Sequence, residues 1–408
     1  MKILFLILIT LVFVTKLLSK LLDYQTRNAL IPENVKDVYD EKEYLNWKNY
    51  QRDNLKLATI QLAIGYLVTM LLFGFNFHQW LFALVAKLSN EMMVQYLLIF
   101  LVLGVIGLLY KVFFDLYKTF IIEEKYGFNK TTLKLFIRDN LIKFVLFLFA
   151  EAGIMTFLNK IYLGFDNIYL FLVISLAVAF FFIIIGPFLF KLISKLFNKT
   201  VPLEDGSLKD KIIEYTTKVN FPIANIYVID ASKRSKKANA YFTGYGRKRR
   251  IVLFDTLIEQ LSETEIVAVL AHEAGHAKYR HLLKLKPLSL LAVLLIFIGI
   301  YMLVSFDQVS RAFGFFNSNF LFAALLFFEL FPLLAIFTGL LTNSISRRFE
   351  YQADNYAAKT TSKEAMVSAL KTLSRNNLIN LTPHPINVLI FASHPPLFKR
   401  VASLKNTD

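Results

Sequence analysis

The chain of 408 residues contains no cysteine. That excludes a disulfide framework, a thiol nucleophile and a Cys-ligated zinc. Any zinc must be held by His, Asp or Glu. Charge is also scarce, at 19% of residues, and histidine scarcer still, with six in all. An ordinary soluble domain carries more charge. What fills the space is apolar: 56% of residues are hydrophobic and the mean hydropathy is +0.51. Such values point to a polytopic membrane protein. The formal net charge of +16 then reflects Lys and Arg in cytoplasmic loops rather than nucleic-acid binding.

A spanning helix needs about 20 mostly apolar residues. Stretches at roughly 3–22, 55–77, 93–114, 141–158, 167–191, 288–306 and 320–342 qualify. No A-x-A-like cleavage site follows the first, so it reads as an uncleaved anchor. The loop after span one carries Arg27, Lys36, Lys42, Lys48 and Arg52, and the loop after span three carries Lys118, Lys125, Lys130, Lys134 and Arg138. The stretch after span five and the tail after span seven are also basic, whereas the other loops hold little beyond Lys87, Lys160 and Arg311. The positive-inside rule therefore predicts an outside N-terminus, with the large polar segments in the cytoplasm. The expected organisation is 1–195, spans one to five; 196–287, a cytoplasmic segment; 288–342, spans six and seven; and 343–408, a second cytoplasmic segment. The first polar segment opens on a helical pattern, "SLKDKIIEYTTKVN". Three strand-like runs follow: "NIYVIDA", "NAYFTGYG" and "RRIVLFDTLI".

Next comes "SETEIVAVLAHEAGHAKYRHLLKLKP". Ser262 and Glu265 form a capping-box start, and Pro287 predicts a break or kink before span six. Within it, His272, Glu273 and His276 form H-E-x-x-H. Chance would produce that pattern in roughly 1 in 250 chains of this composition, so its helical setting matters. On a helix, i and i+4 share a face, and two such histidines can grip one metal. Glu273 beside them can take a proton from water that the metal activates. Gly275 weakens the helix, which predicts a close neighbour there.

A catalytic site needs a third protein ligand. "SRRFEYQADNYAAK", expected as a second amphipathic helix, offers Glu350 and Asp354, again i and i+4. His276 precedes span six by ~18 Å of helix and Glu350 follows span seven by ~12 Å. Consecutive antiparallel spans bring both to similar height, so Glu350 is the candidate ligand. Asp354 can accept the other N–H of a ligating histidine. His281, five residues after His276, falls off the ligand face and is expected at the surface. His78 lies at an outer loop. His384 and His394 lie in the tail; "SHPPLFKR" sets His394 in a rigid turn, where it can donate to a developing oxyanion.

Together the blocks "FIIEEKYGFNKTT", "SKRSKKANAYFTGYGRKRRIVLFDTL", "LAHEAGHAKYRH", "SRRFEYQADNYA" and "SHPPLFKR" resemble the CAAX prenyl protease 1 family of integral membrane zinc metalloproteases. The resemblance implies an all-α polytopic membrane protein. Seven transmembrane helices surround a chamber, joined by a gluzincin-like α+β cytoplasmic zinc protease domain. It implies one Zn2+ per chain held by His272, His276 and Glu350, with Glu273 as general base, His394 stabilising the transition state and Asp354 in support. It places Asn239 and Ala240 on an edge strand that pairs with an extended substrate. Arg400 matches a family arginine, for which binding a substrate carboxylate is the hypothesis. Glu151 and Glu329 within spans are expected to face the chamber or pair with a base, or equally to make a packed helix–helix hydrogen bond.

The implied activity is endopeptidase removal of a C-terminal tripeptide from prenylated CAAX peptides. A quality-control protease of broader specificity is one alternative. A non-catalytic membrane protein binding lipid or peptide is another. Expected partners are a peptide or protein substrate and membrane lipids, with no nucleic acid; "SKRSKK" and "GRKRR" suit loops near anionic headgroups. The Lys-, Ile-, Phe- and Asn-rich composition suggests a bacterial source. The inner membrane is then the expected location, or the endoplasmic reticulum membrane in a eukaryote, with the site on the cytoplasmic side.

Overall fold

The long apolar runs become helices, and polar caps decide where they begin. In the computed structural model, which describes residues 1–165, 167–244 and 249–406 apart from the side chains at 187, 190, 191 and 195, the chain opens with α1 (Lys2–Gln25). Asp40 and Glu43 form a capping box for α2 (Glu41–Gly74). A short apolar helix, α3 (Phe77–Ala86), precedes α4 (Met92–Tyr117). Thr132 and Asn167 cap α5 (Leu133–Gly164) and α6 (Ile168–Phe197). The polar segment supplies β1 (Thr200–Pro202), α7 (Ser207–Lys218), β2 (Asn225–Ile229), β3 (Ala240–Thr243), β4 (Arg250–Phe254), α8 (Asp255–Gln260) and α9 (Glu263–Lys278). Then come α10 (His281–Ser305), α11 (Asp307–Ala312), α12 (Phe320–Thr360), α13 (Lys363–Asn376), α14 (Pro385–Phe391) and α15 (Leu397–Lys405).

Among the described residues, 7 helices are long and apolar enough to cross a membrane, and they correspond to the seven stretches expected. Each touches the next in the cycle α1, α2, α4, α5, α6, α10, α12 and back to α1. In the first six, only 6–17% of the apolar window is buried, against 39% in α12. Helices in a solid bundle would each bury a core-facing stripe. The buried clusters also gather at two ends. One end packs Phe5, Phe73, Leu81, Ile99, Leu158, Phe171, Phe313 and Phe322; the other carries the polar segments. The spans are therefore a ring, packed at its ends and open between them. Glu151 and Glu329 are both exposed in that middle zone. Lys16 acts electrostatically on Glu329; among the described residues neither carboxylate makes an ion pair within 4.0 Å.

The sheet has the order β1-β2-β4-β3, with β2 and β4 parallel and the outer pairs antiparallel. β1 was not expected from sequence. The run "RRIVLFDTLI" divides, its second half becoming α8, whose first residue, Asp255, accepts from the N–H groups of Thr256 and Ser232. Parts of "NAYFTGYG" and "GRKRR", at 245–248, lie outside the described residues. Ile212, Ile226, Ile251, Leu253, Leu257, Ile266 and Leu270 join sheet, α7 and α9 into one core. Several basic residues are structural rather than free for headgroups: Arg234 binds Asp139, Asn198 and the Phe197 carbonyl, and Lys233 pairs with Asp230.

Two expectations change here. Span seven and the second amphipathic helix are one continuous helix, α12, because nothing between Thr342 and Glu350 breaks it. Nor does the break before span six fall at Pro287, which lies inside α10. It falls at Arg280, whose left-handed backbone (φ 54) ends α9 and turns the chain. Such a conformation is unfavourable for a side chain larger than glycine and persists only where the surroundings hold it.

α9 starts on the expected capping box, with Ser262 accepting from the Glu265 N–H and Glu265 accepting from the Ser262 N–H. It crosses α12 at Gly275. A Cβ there would stand 3.0 Å from Ala353 Cα and 3.3 Å from its carbonyl oxygen. Gly275→Ala would stabilise an isolated helix. Here it should destabilise by about 1–3 kcal/mol through overpacking. Thermal unfolding of the detergent-solubilised chain checks this; an unchanged or raised midpoint would mean the helices do not meet at Gly275.

Candidate metal centre

The crossing of α9 and α12 sets two i, i+4 pairs face to face. His272 and His276 stand on one helix, Glu350 and Asp354 on the other. His272 Nε2 and His276 Nε2 lie 3.1 Å apart. Glu350 completes the triangle at 3.5 Å from His272 Nε2 and 3.3 Å from His276 Nε2. A tetrahedral zinc with arms of 2.0–2.1 Å holds its donors about 3.3 Å apart. The donor set also has the right chemistry, two imidazoles and a carboxylate, and Glu350 Oε2 is buried with no hydrogen-bond partner. These residues fit zinc.

The surrounding side chains fix the donors. His272 turns its Nδ1 to Asp354 Oδ1 at 2.9 Å. Arg400 grips the same carboxylate with both ends of its fork, Nε to Oδ2 at 2.8 Å and Nη2 to Oδ1 at 2.5 Å. It also lies 3.5 Å from Glu350. That changes the hypothesis for Arg400. Its side chain is 12% exposed and its fork already faces a carboxylate of the chain itself, so it is not free to take one from a substrate.

His394 Nε2 lies 3.4 Å from Glu350 Oε1, and its ring is open to solvent. Its turn is delivered by α14, which docks on α12: Asn343 donates to the Ile390 carbonyl, and Arg347 donates to the carbonyls of Val388 and Ala392. Ser393 Oγ at 3.0 Å from Nδ1 steadies the ring. His272, Glu273, His276, Glu350 and His394 share the walls of one cavity of about 660 Å³. Tyr241 and Phe242 of β3, and Gly244 just after it, also line it. β3 is an outer strand, and among the described residues no further strand pairs with its outer edge; Asn239 immediately precedes Ala240, its first residue, and accepts the Ala240 N–H. A second cleft of about 630 Å³ beside α7 holds no histidine or acid.

Sequence reasoning misplaced His281. It is 2% exposed, because the turn at Arg280 removes it from the α9 helix and folds it back beneath His276. Arg347 and Gln352 carry no motif signal of their own in the sequence. His78 is buried among Phe73, Phe77 and Phe322 at the far end, and His384 caps α14.

Known proteins resemble this chain along most of its length. Residues 202–408 match the family model of Peptidase family M48, and residues 20–199 match that of the CAAX prenyl protease N-terminal, five membrane helices. CAAX prenyl protease 1 of Saccharomyces cerevisiae is 33% identical over 411 residues, covering 92% of this chain and 88% of the relative. The chain belongs to the CAAX prenyl protease 1 family. The homolog of Oryza sativa subsp. japonica is 31% identical, covering 95% and 94%. The crystal structure of S. mikatae Ste24p superposes with a TM-score of 0.91 at 30% identity, covering 99% of this chain and 98% of that one. Peptidase family M48 is zinc-dependent, and this family member is an integral, multi-pass membrane zinc metalloprotease.

In such a protease the protonation of the donors competes with the metal. Burial disfavours a charged His272, but Asp354 and Glu350 outweigh it and raise its pKa to about 9. Burial likewise pushes the Glu273 carboxyl up, although His272 and His276 pull it the other way. A proton must leave His272 Nε2 before a metal can bind. The apparent zinc affinity of the metal-stripped chain should therefore rise with pH up to about 9 and level off above it. Below that it should fall by up to tenfold per unit. Zinc titration against a competing chelator measures this; an affinity flat between neutrality and pH 9 would contradict it.

Proposed function

We propose that this chain removes C-terminal tripeptides from prenylated CAAX-type peptides. One Zn2+ is held by His272, His276 and Glu350. The observation that carries the reading is the convergence of the donor triangle, Glu273, His394 and a free strand edge on one cavity. The names of the relatives support the substrate class, since each is a CAAX prenyl protease 1 or its homolog.

Zinc in such a site supplies Lewis-acid chemistry, making water nucleophilic near neutral pH and polarising a carbonyl. The chain's residues do the rest. The β3 edge at Ala240, with Asn239 before it, pairs with an extended peptide and lays its scissile bond across the cavity. Glu273 takes the proton of the attacking water and passes it to the departing amine. Its raised pKa suits a group that must accept and then give up a proton. His394, open to the cavity, donates a hydrogen bond to the developing oxyanion. Asp354 and Arg400 hold His272 in the orientation that directs Nε2 at the metal.

The side of the membrane follows from charge. The basic loops after spans one and three pack against the same end as the site: Lys371 pairs with Asp37, and Lys237 with Glu123. By the positive-inside rule that end faces the cytoplasm. The bacterial inner membrane is the location we favour, with lipid as a constant partner of the spans.

Glu273→Gln should abolish peptide hydrolysis while leaving one zinc per chain by metal analysis. Hydrolysis at the wild-type rate would remove Glu273 as the base. With wild-type enzyme, a farnesylated CAAX peptide should turn over at least tenfold faster than its unlipidated form. Equal turnover would point instead to the broader quality-control specificity.

A further inference from the structure

His281 stands beside the site with no role in the chemistry above, and its environment is unusually specific. It is the first residue of α10, turned inward by the left-handed Arg280. Its ring lies flat on Phe349, with centroids 4.1 Å apart and planes 2° from parallel. Tyr279 stacks near it as well, at 5.7 Å. Both ring nitrogens meet polar partners: Nδ1 lies 3.0 Å from His276 Nδ1, and Nε2 lies 3.0 Å from Gln352 Oε1. Gln352 is on α12, two residues after Glu350. The three side chains thus bridge the two helices that carry the donors.

The chain of contacts can run in only one direction. A neutral histidine that binds a metal through Nε2 keeps its proton on Nδ1. His276 must then donate from Nδ1, and His281 Nδ1 must accept. A neutral His281 carries its own proton on Nε2 and donates it to the Gln352 amide oxygen. Reversing the Gln352 amide would force His281 to donate toward His276, where no lone pair remains. The two donor histidines are therefore supported in different ways. His272 is backed by a carboxylate whose charge Arg400 balances, and His276 by an uncharged relay that adds no further negative charge near Glu350 and Glu273.

We propose that His281 is a positioning residue. With Gln352 as its anchor, it accepts the His276 Nδ1–H, fixing the tautomer and ring plane of that ligand and so setting how tightly the site holds zinc. This rests on the reading of His276 as a zinc ligand.

Two substitutions separate hydrogen bonding from packing. His281→Phe keeps the stack on Phe349 but removes the acceptor. His281→Asn loses the stack but presents an amide oxygen near the place of Nδ1. Zinc affinity is read on the purified full-length chain by chelator competition, and folding by thermal unfolding of the metal-stripped protein. Loss of a ligand's outer partner costs roughly 10- to 100-fold in metal affinity. We expect that loss for His281→Phe with an unchanged metal-free melting midpoint, and at most a threefold loss for His281→Asn. Gln352→Glu, a stronger acceptor for the relay, should raise affinity above wild type. Cobalt substitution should show the visible spectrum altered in His281→Phe and close to wild type in His281→Asn.

Wild-type zinc affinity in His281→Phe would overturn the proposal, as would equal losses in the Phe and Asn variants. If His281→Phe does not fold, Gln352→Glu decides: unchanged or weakened zinc binding overturns the relay. A wild-type chain that binds no zinc would instead sink the reading of the site itself.

Discussion

The close approach of two helix backbones at Gly275 and Ala353 governs the rest of the molecule. Without a Cβ at Gly275, α9 comes near enough for its histidine pair to meet the carboxylate pair of α12 at donor–donor distances of 3.1–3.5 Å. Any side chain there would push the axes apart, and a tetrahedral ion tolerates little of that. The other contacts serve this crossing. The Ser262–Glu265 box fixes where α9 begins, and Glu265 also accepts from Ser368, tying in α13. The sheet core braces the opposite face. Arg400 and His394 arrive last and close over the crossing from the tail.

The membrane part matters to this chemistry because α12 belongs to both. One helix of 41 residues starts at the far packed end and passes through the ring as a span. Without interruption it then carries Glu350 and Asp354 to the site. At about 1.5 Å per residue it extends roughly 60 Å, about twice the apolar thickness of a bilayer. The spans therefore act as the frame on which half of the site is built. Buried clusters hold that frame at its ends and leave its middle, where Glu151 and Glu329 lie, sparsely packed.

Much of this was legible in the residues. Long apolar runs located every span, since hydropathy needs no tertiary information. The i, i+4 spacing of His272 with His276, and of Glu350 with Asp354, put each pair on one helix face. The glycine between the histidines signalled a close neighbour. What could not be read depends on contacts far apart in the chain. His281 looked external because helical spacing was extended through Arg280, a residue whose left-handed backbone no propensity predicts. Arg400 looked available because its partner, Asp354, lies 46 residues earlier. The strand β1 is three residues long, with no pattern of its own, and exists because β2 offers it an edge.

The position of Arg400 also bears on the order of synthesis. All three proposed zinc donors have been synthesised by residue 350, yet Asp354 has no fork to hold it, and His394 is still absent, until about fifty more residues follow. The docking of that late segment is itself non-local: Asn34 donates to the Phe398 carbonyl, and Tyr39 to those of Ser374 and Ile379. On the proposed roles, a nascent or tail-truncated chain can gather a metal but cannot orient its ligand or stabilise an oxyanion.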